Sequence, residues 1–238
     1  MKLLKIKTTI FILLIANISY SQINLGVEIG KSYYSWLIHE ESDFNYSNFD
    51  QTMKNGISVS AFIEKKIKDI CIRSELSFKR KGSIVSASEL LIDTGPHDSL
   101  NIIYNHDINV DYFEFSLLLN QTGLKGDKFE FNALFGPSIG FGLGGNEYST
   151  LIEDSSNRDD RIATVDQKID FDKSSFKRWD LGFKLGFEWV YLFKEDFSIF
   201  FSPKYQVSIT NFNKIEDNTG QQLRNSGFTI SLGAKMLL

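Results

Sequence analysis

The chain has 238 residues, with 26 Lys and Arg against 30 Asp and Glu, a net charge of −4. That length suits one large domain or two small ones, and the acidic balance excludes the basic footprint of a nucleic-acid binder. Aromatic residues make up 14% of the chain, with 21 Phe and only 3 Pro, which favours strands over helices or disorder.

The chain begins MKLLKIKTTIFILLIANISYSQ. Lys2, Lys5 and Lys7 precede a short apolar core over residues 10–16, and Ser19 and Ser21 supply the small residues of a cleavage site. This reads as a secretory signal peptide over residues 1–21, followed by one domain over 22–238. No Cys directly follows the apolar core, so the pattern is not that of a lipoprotein. Cleavage would remove three lysines, leaving 23 basic residues against 30 acids and a charge of −7. No later stretch approaches the roughly 18 uninterrupted apolar residues of a membrane helix. The exported protein is therefore expected to be either soluble or a membrane barrel. Cys71 is the sole cysteine, so no internal disulfide forms, and a buried, inert thiol is expected.

Eight segments then alternate with period two. Residues 22–34 place Ile23, Leu25, Val27 and Ile29 on one face. Residues 56–65 do the same with Ile57, Val59, Ala61 and Ile63, and residues 69–81 with Ile70, Ile72, Leu76 and Phe78. Residues 108–121 carry Phe113, Phe115, Leu117 and Leu119; residues 128–144 run from Phe129 through Phe135 and Phe141 to Leu143. Residues 179–193, WDLGFKLGFEWVYLF, put eight bulky apolar groups on one face and Asp180, Gly182, Lys184, Gly186 and Glu188 on the other. Residues 196–211 and 225–238 complete the set. Connections are long and polar after the odd-numbered segments (about 35–55, 82–107, 145–175 and 212–224) and short after the even ones (66–68, 122–127 and 194–195). An even number of antiparallel strands, with short turns at one end and long loops at the other, predicts an eight-stranded transmembrane β-barrel. Its short turns would be periplasmic and its long loops extracellular.

A soluble, lipocalin-like barrel would use the same strands with the faces exchanged. Size decides between them. The apolar face carries about fifty residues, many aromatic, and the interior of an eight-stranded barrel holds only a filling of side chains. The apolar face is therefore expected to meet lipid. Trp179 and Trp189, ten residues apart on that face, then sit at the outer and inner interfaces, with Tyr191 near the inner one. Trp36, with Tyr33 and Tyr34, is assigned to the outer girdle. The opposite face holds Glu28, Glu64, Arg73, Glu75, Lys79, Glu114, Glu130, Asp180, Lys184, Glu188, Lys204 and Lys235. Buried charges need partners, so Arg73, Glu75, Lys79, Glu114, Lys184 and Glu188 are ion-pair candidates. Arg73 and Glu75 lie on the third segment and Glu114 on the neighbouring fourth, so a cross-strand ion pair between these segments is expected. A solid, salt-bridged lumen is the expectation.

Few motifs suggest chemistry. GFGLGG at residues 140–145 alternates inside a strand rather than opening a helix, so it reads as small lumen-facing residues and not as a phosphate loop. His39, His97 and His106 fall in the outer loops; the spacing of His97-Asp98 and His106-Asp107 fits no standard metal site. His97, Asp98 and Ser99 carry hydrolase residue types without triad geometry. The acidic stretch 153–170, with Asp154, Asp159, Asp160, Asp166 and Asp170, lacks calcium-loop spacing. No cofactor and no metal are expected.

SELSFKRKGS (residues 74–83), VDYFEFSLLLN (110–120), FGPSIGFGLGG (135–145), WDLGFKLGFEW (179–189) and the closing GFTISLGAKMLL, in that order, resemble the PorT family of outer-membrane barrels from Bacteroidota. Ser116 stands where that family usually has Pro, and the chain closes on Leu237 and Leu238 rather than on an aromatic residue. The resemblance implies an integral outer-membrane protein linked, through its namesake, to type IX secretion and gliding. The expectation is thus a non-enzymatic structural or accessory barrel, with secretion components as partners where it serves export. Outer-membrane lipid, lipopolysaccharide and the barrel-assembly machinery are its expected contacts. Surface adhesion through the loops, lipid modification in the outer leaflet, and a soluble carrier are the alternatives.

Overall fold

The computed structural model describes residues 23–39, 48–67, 70–92, 99–155, 158–172, 176–211 and 222–238. The leader expected over residues 1–21 lies outside them, as do His97 and Asp98. Nine strands follow in chain order: β1 (Ile23–His39), β2 (Asn48–Ile67), β3 (Ile70–Ile92), β4 (Ser99–Lys125), β5 (Phe129–Ser155), β6 (Arg158–Lys168), β7 (Trp179–Leu192), β8 (Phe197–Ser208) and β9 (Gln222–Leu237). All pair antiparallel, and the sheet closes because β4 pairs with β5 as well as with β3. The closed ring contains eight strands: β1, β2, β3, β4, β5, β7, β8 and β9. β6 is attached only to the far half of β5.

The register fixes the barrel's shape. From Trp179 the outward-facing partners run Phe141, Phe113, Phe78, Val59, Ile29, Leu232 and Phe201, then return to β7 at Trp189. One circuit therefore advances ten residues along the strand. For eight strands that stagger tilts each strand by about 40° and separates the two tryptophans by roughly 25 Å along the axis.

Alternation decides what faces where. Along β7 every residue at an odd position from Trp179 to Trp189 is exposed and every even one is buried. Phe113, Phe115, Leu181, Phe183, Leu185 and Phe187 are each more than 40% exposed on the outer surface, while the polar face turns inward. Small residues make room inside. A Cβ on Gly26 would lie 2.2 Å from Cζ of Phe62, and one on Gly233 2.3 Å from Cζ of Phe200. The absent side chains leave the space into which these two rings fold.

Three features differ from the expected pattern. Much of what reads as long loop is strand: β3 continues to Ile92, β4 starts at Ser99, and β5 continues to Ser155 before returning as β6. β5 changes neighbour on the way. Residues 129–141 pair with β7, and residues 146–155 pair with β6. The switch follows a bulge, since Tyr112 faces Gly142 while Asp111 faces Gly144, leaving Leu143 extra. A bulge of this kind bends the strand and increases its twist. The outer parts of β2, β3, β4, β5 and β6 then continue as an open five-stranded sheet, whose β5 portion runs roughly 35 Å beyond the bulge. The third difference is Trp36, with Tyr34. Ile29, Lys31 and Tyr33 point outward, so the even positions point inward; Tyr34 and Trp36 are 1% and 4% exposed inside the mouth.

Candidate functional site

Two regions concentrate polar chemistry: the lumen and the inner face of the protruding sheet. Among the described residues the buried charges are six cations (Arg73, Lys79, Lys81, Lys184, Lys204, Lys235) and six anions (Glu28, Glu64, Glu75, Glu114, Asp180, Glu188). Alternation on β1, β2, β3, β4, β7, β8 and β9 aims all twelve at the axis. Eleven belong to the inward set read from the sequence. Glu130, from the same set, lies at the short-turn end, where Lys125 Nζ approaches its carboxylate at 2.7 Å. Lys81 is the addition; it sits where β3 was expected to end.

The charges form two networks, each neutral. Near the short turns, Arg73 Nε donates to Glu64 Oε1 at 2.6 Å, and the same guanidinium reaches Glu188. Lys235 completes this group at 2.7 Å from Glu188 and 3.5 Å from Glu64. Asn120 donates to Glu64 at 2.8 Å. Above it, Lys184 bridges Glu75 and Glu114 at 2.9 and 2.8 Å. Lys204 links Glu75 and Glu28 at 2.6 and 2.5 Å. Lys81 joins Glu114 to Asp180 at 2.9 Å each, and Lys79 lies 3.3 Å from Glu114. Gln206 donates to Glu114 at 2.7 Å and accepts from the Tyr34 hydroxyl at 2.7 Å.

The six lumen residues singled out from sequence therefore all take part, but not in the expected pairs. The ion pair between β3 and β4 does form, but Lys79 and Lys81, not Arg73, meet Glu114. Arg73 reaches across the lumen to β7, and Glu75 to β7 and β8. The reason is length: extended Lys, Arg and Glu side chains meet near the axis of so narrow a barrel, where non-adjacent strands converge.

Apolar groups close both ends. At the short-turn end Phe62, Val190 and Phe200 cluster, with the Arg73 guanidinium 4.0 Å from the Phe62 ring centroid. Below them, a polar cleft of about 480 Å³ is lined by Glu64, Cys71, Asn120, Asn132 and Lys235 among others. Cys71 is half-buried there. At the outer end Trp36, Val85, Ile108, Val110, Tyr112, Ile169, Phe171 and Phe176 form a larger cluster. Phe171 folds over Gly142, and Phe176 packs 6.0 Å from Trp36. These two aromatics follow β6, so the expected outer loop supplies part of the seal.

On the outer surface Trp179 is 55% and Trp189 48% exposed. Trp179 stands edge-on to Phe141 at 4.8 Å, Trp189 stacks on Phe201 at 5.6 Å, and Tyr191 leans on Phe129 at 5.1 Å. Trp36 does not join this belt. Its partners are inside the mouth.

The protruding sheet carries a chain of hydrogen bonds that the sequence did not suggest. The Tyr104 hydroxyl meets His106 Nδ1 at 3.0 Å, and His106 Nε2 meets Glu147 at 2.8 Å. Gln167 donates to the other oxygen of Glu147 at 3.0 Å. His106 is thus part of a strand, not a solvated loop residue. Asp107 points to the opposite face and pairs with Lys54, so His106 and Asp107 cannot hold one ion together. No metal-ligating cluster occurs among the described residues.

A family profile described as "Outer membrane protein beta-barrel domain" matches residues 16–214. No curated protein matches. Among solved structures the chain is similar to Ail, the attachment invasion locus protein of Yersinia pestis, at 10% identity over 90% of this chain and 98% of that one, with a TM-score of 0.37. It is similar to the N-terminal β-barrel domain of Pseudomonas aeruginosa OprF at 13% identity, over 92% and 99%, with a TM-score of 0.37. A major outer membrane protein from Thermus thermophilus matches at 11% identity, over 91% and 99%, with a TM-score of 0.41.

Proposed function

Because the chain belongs to the outer membrane protein beta-barrel domain family, we propose that it is a non-conducting, non-enzymatic anchor in the outer membrane whose working part is the protruding five-stranded sheet. One observation carries this reading. The lumen holds six buried cations and six buried anions, packed with two apolar clusters, so the barrel is filled and electrically balanced. Eight strands leave room for little else. Work must then be done outside the lumen. The sheet built from the outer parts of β2 to β6 offers a polar platform for a protein partner. The short-turn end is the periplasmic one, as is usual for such barrels.

The resemblance to the PorT family supports a service in protein export, with secretion components as the partners. Two measurements test this. Reconstituted in a planar bilayer, the protein is expected to give no stepwise conductance above that of the empty membrane. Deleting the gene is expected to remove cargo proteins from the medium. A normal secreted set with lost surface attachment would point instead to adhesion through the same sheet. Steady single-channel steps would refute the sealed lumen.

A further inference from the structure

Lys31 is out of place. On the outward face between the levels of Trp179 and Trp189, the described residues are apolar, aromatic or uncharged, with two exceptions. One is the pair Arg80–Asp111, which neutralises itself through hydrogen bonds of 2.7 and 3.0 Å. The other is Lys31, which is exposed and has no ion-pair or hydrogen-bond partner among the described residues. Its register neighbours are Ile57 and Ile230, 62% and 40% exposed on the same face, with Ile29 two residues along.

The register gives its depth. Ile29 is five of the eight steps down from Trp179 to Trp189, and Lys31 lies two residues back towards the outer end, so it sits about 10 Å inside the level of Trp179. A lone ammonium at that depth is costly unless its stem carries it towards the interface and an anion receives it. Directly outward of Lys31, Tyr33 and Phe228 stack at 4.8 Å with planes 20° apart. Lying face to face, the two half-exposed rings leave their outer faces and edges free, an aromatic surface against which the apolar side of a sugar ring packs. The chain as a whole carries net negative charge, so general attraction does not account for an anion here; a local site is required.

We propose that Lys31, with the stacked Tyr33–Phe228 pair above it, binds the phosphate of an outer-leaflet glycolipid, the sugar lying against the two rings. The proposal rests on the outer-membrane reading above. The ammonium supplies the charge, and the aromatic pair selects a phosphorylated sugar over a phosphoglycerol headgroup.

The test compares the full chain with Lys31→Met and Lys31→Arg in nanodiscs containing diphosphoryl lipid A, its dephosphorylated counterpart, or phosphatidylglycerol, counting retained lipids by native mass spectrometry. The wild type and Lys31→Arg are expected to retain diphosphoryl lipid A at least fivefold better than Lys31→Met does. Neither dephosphorylated lipid A nor phosphatidylglycerol should show that preference. Equal retention by Lys31→Met overturns the site, and equal preference for phosphatidylglycerol overturns the glycolipid assignment. Each variant is also run unheated and boiled on a gel. A heat-dependent shift shared by all three places any lipid loss at the site rather than in folding. A wild type that fractionates as soluble, with no shift, overturns the membrane reading and this site with it.

Discussion

Replacing Arg73 by Met is expected to destabilise the barrel by about 3–5 kcal/mol, the usual cost of stripping one partner from a buried ion pair. The guanidinium is fully buried and meets both Glu64 and Glu188. Methionine retains much of the apolar packing against Phe62, so the loss is chiefly of charge. Lys235 is then left as the one cation facing two carboxylates, and the lower network carries a charge of −1. Urea unfolding, followed by the mobility difference between folded and unfolded protein, measures the loss. Adding Glu188→Gln to Arg73→Met restores neutrality, so the double variant should recover a large part of the stability. A loss below about 1 kcal/mol would match an exposed pair and would mean that water reaches this network.

Glu114→Gln is expected to cost a similar amount, about 3–5 kcal/mol, in the upper network. Glu114 meets Lys79, Lys81 and Lys184 at once. Without its charge Lys81 still has Asp180 and Lys184 still has Glu75, but Lys79 loses its ion-pair partner. Lys79→Met should therefore rescue Glu114→Gln specifically. The same rescue by Lys235→Met, in the other network, would contradict the division into two neutral groups. Both cycles are read by urea unfolding, and the coupling is the departure from additivity.

The sequence revealed the lumen's contents but not its wiring. Period-two alternation assigns a face to each residue, which is why Arg73, Glu75, Lys79, Glu114, Lys184 and Glu188 could be placed inside. Alternation carries no information on height. Which lysine meets which glutamate depends on the ten-residue stagger round the ring, and partners such as Lys204 and Glu28 are 176 residues apart. Trp36 reads as a girdle residue when residue type is given more weight than parity; counting on from Ile29 places it inside. The protruding sheet escapes for a different reason. It has no lipid on its outer face, so Asn105, Thr150 and Thr164 stand where the membrane part has Phe and Leu. With polar residues on both faces, the strands leave no apolar periodicity to read. The His106–Glu147 contact is hidden likewise, since it joins strands whose pairing is not apparent from the sequence.

In an outer-membrane barrel the bulky face meets lipid and the charged face does not. The chain has three tryptophans, and they divide on this point: Trp179 and Trp189 point out, and Trp36 points in. Three variants, each keeping one tryptophan and carrying Phe at the other two positions, would be reconstituted in bilayers of brominated lipid and their fluorescence compared with that in plain lipid. Strong quenching of Trp179 and Trp189, with Trp36 nearly unchanged, is the expected result. Quenching of Trp36 with Trp179 and Trp189 untouched would mean that the faces are reversed and that the apolar side lines the lumen.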